Sequence, residues 1–349
     1  MVVMAFLLPQ IGGPFKRLFS RSVRVASRGG GVLPAPANPE LSMAESLRGG
    51  VIGAGVFGGY HAGQYARLAG VTLSAVLDAN PERAAKVAVP LGGRAFHQLD
   101  AFLEAVDVVT IASPATVHAE QALAVLAAGK PVYIEKPIAI SVADAERVRE
   151  AAARRGLVVA CGHQERVVFQ AMGLLDLPEQ PVLLEALRHG PPSDRGQDVS
   201  AILDLMVHDI DLALALSTAE PVTAEGEGRI GPSGAWDAAR AEVSFETGFT
   251  AIFDCSRMAE ARKRTMRVVF PSGEVEIDFV ARTFRNSTPF ALNADFADTP
   301  AAKDPLGASV EGFLAAVRGE APRPVVTAQE AIRALDLALA VERALEEPA

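Results

Sequence analysis

Short apolar runs alternate, through the first half of the chain, with longer stretches in which apolar residues recur every three or four positions. The runs are residues 51–52, 71–77, 106–112, 131–134 and 157–161; the amphipathic stretches include 56–68, 116–128 and 144–155. Strands that alternate with helices of this length predict a parallel, doubly wound sheet. Beyond Gly162 the rhythm changes. Residues 182–188 read as a strand and 200–216 as a helix. Strand-like segments follow at 241–245, 250–255, 266–270 and 274–279, linked by short turns such as Thr247-Gly248 and Ser272-Gly273. Successive hairpin-like strands predict a largely antiparallel sheet, and helices at about 306–317 and 327–345 close the chain. The expected fold class is α/β: a Rossmann domain over 43–163 and a second α/β domain over 164–349, whose last helix can pack on the first.

The chain has 349 residues, enough for two cores, with 50% hydrophobic and 21% charged residues, as in a globular protein. Its formal charge of −9 argues against nucleic acid or an anionic membrane as the main partner, and leaves room for a small substrate held by a local basic cluster. The two cysteines, Cys161 and Cys255, lack CxxC spacing and point to a reducing, cytoplasmic setting. The six histidines show no metal-ligand spacing, so no metal is expected. Residues 1–42 carry Lys16, Arg17, Arg21, Arg24 and Arg28 against one acid, Glu40, after a short apolar opening. That order is not that of a secretory signal; it reads as a transit peptide or as a start assigned upstream of Met43, outside the fold in either case. No apolar stretch is long enough for a membrane span.

Gly53-Ala54-Gly55-Val56-Phe57-Gly58 follows the first strand and opens the first helix. In such a G-x-G-x-x-G the first glycine permits the turn, the second admits a pyrophosphate to the backbone, and the third lets helix and strand approach. Asp78, at the end of the next strand, is placed to hold ribose hydroxyls. No arginine follows it immediately and a carboxylate repels a 2′-phosphate, which favours NAD over NADP. Ser113, Pro114, Thr116 and His118 lie where nicotinamide would sit, with capping and turn chemistry as the plainer role for the polar ones.

The run ending in Tyr133-Ile134-Glu135-Lys136-Pro137 puts a carboxylate and an amine at a strand's C-terminal end, where open α/β sheets bind ligands. A partly desolvated lysine there suits proton transfer. In the later helix, Asp204 and His208 are four apart and Asp211 three further, one shared face on which a carboxylate can orient an imidazole. His163 follows a strand end and reads as either a site or a core histidine. His61, His97 and His189 receive no role. Arg166, Arg188, Arg195, Arg257, Lys263 and Arg264 are the second-half cations able to fork onto an anionic substrate.

Gly53-x-Gly55-x-x-Gly58, Glu135-Lys136-Pro137 and Asp204-x-x-x-His208, in that order, resemble the Gfo/Idh/MocA oxidoreductases over about residues 47–346. The resemblance implies Lys136, Asp204 and His208 as the catalytic set, Glu135 and Lys136 beside the cofactor NAD, a Lys136-Pro137 peptide that is often cis, and an open second sheet that forms homo-oligomer contacts in dimers or tetramers. Gly162-His163-Gln164-Glu165-Arg166, residues 202–211, and Ser256-Arg257 with Arg262-Lys263-Arg264 are similar to the branch that oxidises the 3-hydroxyl of UDP-N-acetylglucosamine on the route to 2,3-diamino sugars of lipid A. Arg166 departs from it in preceding Val167-Val168-Phe169, and Gly49 stands where a β-branched residue is usual. That likeness implies a nucleotide sugar held by Arg166, His163, Asp211, Lys263 and Arg264. His208 held by Asp204, or else Lys136, would remove the hydroxyl proton. A different sugar or inositol substrate, and a non-catalytic nucleotide sensor, are the rival readings.

Overall fold

A computed structural model describes residues 23–24, 46–193, 198–232 and 234–346. Six strands form the first sheet: β2 (Leu47–Ile52), β3 (Val71–Leu77), β4 (Arg94–Phe96), β5 (Val108–Ile111), β6 (Val132–Ile134) and β7 (Val159–Cys161), in the order β4-β3-β2-β5-β6-β7 and parallel throughout. The crossovers are α1 (Val56–Arg67), α2 (Pro81–Ala88), α3 (Leu99–Glu104), α4 (His118–Ala127) and α5 (Val142–Arg155). This is the doubly wound sheet expected, and its order reverses between β2 and β5, the crevice where such folds bind ligands.

Local chemistry sets several boundaries. Helix α5 starts at Val142, before the expected 144, because Ser141 caps it by accepting the Asp144 N–H. Helix α4 starts at His118, because a 3-10 turn over Ala115–Val117 takes up the residues after Pro114. Gly49 and Gly50 keep β2 a strand: a Cβ on either would stand 2.7 Å from the Tyr65 ring or 2.5 Å from Val106. Absence of side chains there is what lets aromatic rings pack on both faces.

The second sheet has the order β1-β9-β10-β11-β8-β12-β13-β14. Its strands are β1 (Val23–Arg24), β8 (Leu183–His189), β9 (Pro221–Ile230), β10 (Trp236–Phe245), β11 (Thr250–Ser256), β12 (Lys263–Phe270), β13 (Gly273–Asp278) and β14 (Thr283–Asn286). All neighbours are antiparallel except β11 and β8. Strand β9, glycine-bearing and polar, carries no alternation that marks it in the sequence. Strand β1 lies within the segment expected outside the fold; Val23 and Arg24 pair with Ala224 and Thr223, because the edge of β9 offers unpaired backbone groups. The rest of residues 1–42 lies outside the described residues, as does Arg195.

Helices α6 (Glu165–Met172), α7 (Val207–Leu216), α8 (Pro300–Lys303), α9 (Pro305–Val317) and α10 (Ala328–Glu346) complete the chain. Five residues before α7, Ile202–Met206, are wound wider, so that the Val207 N–H reaches back to Ile202 O. Helix α10 packs on both halves, touching α5 and β7 as well as α7 and β9. Helix α9 leans further toward the first sheet: Val310, Phe313, Leu314 and Val317 share a core with Leu47, Tyr65, Val71 and Tyr133. The chain end thus returns to the dinucleotide half and ties the lobes together. Among the described residues no helix is long and apolar enough to cross a membrane.

The glycine loop gives a test of this packing. A Cβ on Gly58 would stand 1.7 Å from Gly53 O, whereas one on Gly63, in the same helix, meets nothing within 4 Å. Gly58→Ala should therefore abolish NAD binding and lower the thermal midpoint sharply. Gly63→Ala should leave binding intact and stabilise by up to about 1 kcal/mol through helix propensity. Calorimetry and NADH fluorescence titration separate the two.

Candidate active site

The strand ends of the first sheet converge on one edge. After β2, Gly53 takes a positive φ of 96°, and a Cβ there would collide with Ala112 O and Ser113 N on the loop after β5. Gly55, which precedes α1, faces open space within 4 Å of where its Cβ would be, room a pyrophosphate can fill at a helix N-terminus. Asp78 fastens this loop: its Oδ2 accepts the Ala54 N–H at 2.8 Å, and its Oδ1 accepts from Asn80 N and from the Arg83 guanidinium at 2.9 Å. Burial pushes its pKa up, but the Asn80 and Ala54 N–H groups and Arg83 more than offset that and hold it below the carboxylate norm. Arg83, five residues on, is the arginine that inspection of the immediately following positions passes over. Val56 and Phe57 are exposed on the first turn of α1, beside the same opening. These residues fit a dinucleotide.

Ser113 donates to Gln121 Oε1 at 2.7 Å, and Pro114 and Thr116 lie exposed at the loop rim. Thr116 caps nothing, since the cap of α4 is Val117 and carries no side-chain bond. His118 is not free for a cofactor. It is buried, with Nδ1 2.8 Å from Pro137 O and Nε2 2.9 Å from Ser113 O, and so ties the β5 loop to the β6 loop. Burial lowers its pKa. Glu135 is turned inward too. Its Oε1 lies 2.7 Å from His61 Nε2 and accepts from Gln164 Nε2 at 2.9 Å. Burial opposes its ionisation, yet His61, by hydrogen bond and charge, holds its pKa low. Glu135 and His118 are thus braces of the two loops rather than cofactor contacts. His61, assigned no role from sequence, is half of that brace; nothing local to helix α1 signals it.

Lys136 precedes a cis peptide to Pro137. Its Nζ donates to Asp204 Oδ1 and to Asp204 O, both at 2.7 Å, across the seam between the lobes. An ammonium has three protons, so one stays available for a further acceptor. Burial raises the Asp204 pKa, and the Lys136 charge and hydrogen bond outweigh it and keep the carboxylate ionised. The widened turn over Ile202–Met206 belongs to this arrangement, because it carries Asp204. Asp204 therefore serves the lysine, and not the histidine expected from the i,i+4 spacing.

His208 instead meets Glu165, the first residue of α6: Nδ1 lies 2.7 Å from Oε2, close but off the hydrogen-bond axis. Beside it, the ring of buried His163 stands edge-on at 6.3 Å between centroids, with Nδ1 unpartnered. Burial lowers the His163 pKa against the pull of Asp211, which keeps a neutral imidazole there.

The basic residues divide. Arg166 is spent on a buried fork to Asp211, 2.8 Å at both nitrogens, and on Glu330 at 2.6 Å. Arg166 and Asp211 are therefore partners of each other, since two charges so deeply buried must neutralise locally. Arg188, 2% exposed, forks onto Asp209 at 2.9 and 2.8 Å and reaches Glu165 at 3.0 Å. Arg257 donates to Asp237 and Val199 O. Lys263 and Arg264, adjacent on β12, leave opposite faces of the sheet. Lys263 lines a 650 Å³ cavity on the outer face, away from His208. Arg264 registers beside Arg188 on the inner face, half-buried, with Nε unpartnered. Burial and the nearby Arg188 charge depress its pKa against the pull of the Glu165 and Asp209 carboxylates, and its Nε has no partner among the described residues.

Comparison with known proteins supplies the family. Residues 47–163 match the model of the oxidoreductase family with an NAD-binding Rossmann fold, and residues 184–276 that of the GFO/IDH/MocA C-terminal domain. The UDP-N-acetylglucosamine 3-dehydrogenase of Acidithiobacillus ferrooxidans is 36% identical over 284 residues, 79% of this chain and 90% of that protein. One of its solved structures superposes with a TM-score of 0.78 at 34% identity, covering 87% of this chain and 99% of that one. An inositol 2-dehydrogenase of Cereibacter sphaeroides is 32% identical over 52% of this chain and 57% of its own length. The WlbA dehydrogenase of Bordetella pertussis, solved with NADH and UDP-GlcNAcA, shares the fold with a TM-score of 0.79 at 18% identity, over 87% of this chain and 96% of that one. The chain belongs to the GFO/IDH/MocA family, and it is an NAD-binding oxidoreductase.

The buried carboxylates make a pH prediction. Glu330, held by Arg166 against burial, has its pKa lowered from 4.5 to about 2, and that of Glu165 is also well below 4.5. Both bind protons more readily unfolded, so their stabilisation is complete above pH ~4.5 and is lost as pH falls toward 2. For Glu330 the loss is on the order of 3 kcal/mol. Urea midpoints measured from pH 6 to pH 2.5 should fall steeply, and Glu330→Gln should flatten that slope while lowering stability at pH 6.

Proposed function

We propose that this chain oxidises a secondary hydroxyl of a sugar, and that the substrate is UDP-N-acetylglucosamine, attacked at its 3-hydroxyl. The reading rests on one observation: Lys136, just past the C-terminal end of β6 in the dinucleotide sheet, is bonded to Asp204 of the second lobe, and His208 follows Asp204 by four residues in the same helical stretch. NAD, held against the glycine loop by Gly55 and Asp78, would supply the acceptor for the hydride leaving the carbinol carbon. Lys136 donates its remaining N–H to the substrate oxygen and favours the charge that grows there. Asp204 keeps the ammonium aimed. His208, neutral as a base must be, takes the hydroxyl proton. Neutral His163 completes the polar wall without adding a competing charge.

Arg264 supports the nucleotide-sugar form of the proposal. A half-buried guanidinium whose Nε has no partner among the described residues is suited to a diphosphate. A free hexose or an inositol brings no anion to it. The sequence match to a relative named for UDP-N-acetylglucosamine spans 79% of this chain, against 52% for an inositol 2-dehydrogenase, and weighs the same way. A product ketone at C3 is what an aminotransferase would convert to a 2,3-diamino sugar, in keeping with a cytoplasmic place early in lipid A assembly. The apolar and charged outer face of the second sheet suits the homo-oligomer that the family resemblance implies.

Oxidation of an alcohol by NAD is unfavourable near neutrality, so the assay couples the chain, NAD and UDP-N-acetylglucosamine to a glutamate-dependent sugar aminotransferase. NADH and an amino sugar should accumulate. Silence with this substrate together with rapid NADH formation from inositol or a free hexose would overturn the substrate reading. Lys136→Met should cut turnover by about 10³-fold or more with NAD affinity nearly unchanged, a loss in the range general acid–base groups supply. Arg264→Ala should raise KM for the nucleotide sugar about 10-fold or more, the scale of one charge-assisted contact, and leave NAD affinity alone.

A further inference from the structure

We infer that Glu165 is the positioning residue for His208, an inference that rests on reading His208 as the base. Chain spacing offers Asp204 for that task, but its carboxylate is committed to Lys136. Glu165 arrives from a different helix and lies 2.7 Å from the imidazole Nδ1. Its other oxygen is clamped at 3.0 Å by Arg188, which is itself fixed by a double hydrogen bond to Asp209. Both members of the pair are largely shielded, the His208 side chain 11% exposed and that of Glu165 18%.

The chemistry follows from which nitrogen the carboxylate faces. An ionised carboxylate accepts only, so Nδ1 must carry the proton and Nε2 keeps the lone pair for the substrate hydroxyl. When Nε2 takes the proton, the same carboxylate stabilises the imidazolium. Asp204 and Glu165 thus serve different bases, one the amine and one the imidazole. The contact is off-axis, and catalytic hydrogen bonds commonly reach full alignment only in the substrate complex.

The test uses the full chain labelled with 15N in its histidine rings, His208 being assigned by loss of its signals in His208→Asn. Wild type should show the Nδ1–H form. Glu165→Gln keeps the shape and an oxygen for Arg188 but turns an amide N–H toward the ring, and should shift it to the Nε2–H form. Turnover of Glu165→Gln should fall by about 10²- to 10⁴-fold, the loss seen when a positioned histidine is left in the wrong tautomer. NAD affinity should be unchanged, and Glu165→Asp should restore part of the loss. An Nε2–H form in wild type, or wild-type turnover in a folded Glu165→Gln, would overturn the assignment. If wild type oxidises no sugar at all, the dehydrogenase reading fails, while the tautomer spectra still judge the Glu165–His208 pair by themselves.

Discussion

A charge taken out of water must meet an opposite charge or give up its ionisation, and the seam between the two sheets is built on that constraint. Four pairs cross or line it: Lys136 with Asp204, Glu165 with His208, Arg166 with Asp211, and Arg188 with Asp209. Each holds one helix against another element, three of them by directional hydrogen bonds and the Glu165–His208 pair by close approach of the two groups. Removing one partner of such a buried pair leaves the other stranded, which typically costs about 3–5 kcal/mol. The same pairing that holds the lobes together also decides which polar groups stay available for a ligand.

Helix α6 is central to this arrangement. Its first two residues, Glu165 and Arg166, point to His208 and Asp211, which lie about one turn apart on α7. One short helix thereby sets the height and rotation of the helix bearing the imidazole. The loops of the first sheet are braced in a comparable way, by His61 on Glu135 and by His118 between two carbonyls. Buried polar side chains here aim other residues, and the groups left over, Lys136 with its third proton and Arg264 with a bare Nε, are those the proposed function assigns to the substrate.

Much of this was legible from residue order. Periodicity distinguished the parallel sheet from the later, largely antiparallel one, because helix crossovers and hairpin turns leave different spacings. The glycine motif was readable because its requirements are local: a positive φ at Gly53 and no room for a side chain at Gly58. Strand β9 and helix α6 escaped notice, the first for lack of alternation and the second because its eight residues are too few for a helical period to emerge. Lys136, Asp204 and His208 were singled out from their motifs, but the pairing of Asp204 with His208 expected from spacing does not form, since Asp204 binds Lys136 and His208 faces Glu165.

What residue order determined by itself is whatever depends on neighbours within about one helical turn or one strand: the elements, the phosphate loop, the lysine before its proline, and the chemistry available at each position. Only the tertiary structure decided who pairs with whom. A carboxylate four residues from an imidazole was drawn away by an amine 68 positions distant, and another, from α6, took its place. The energy of an ion pair depends on separation and burial in space, quantities that sequence distance does not encode.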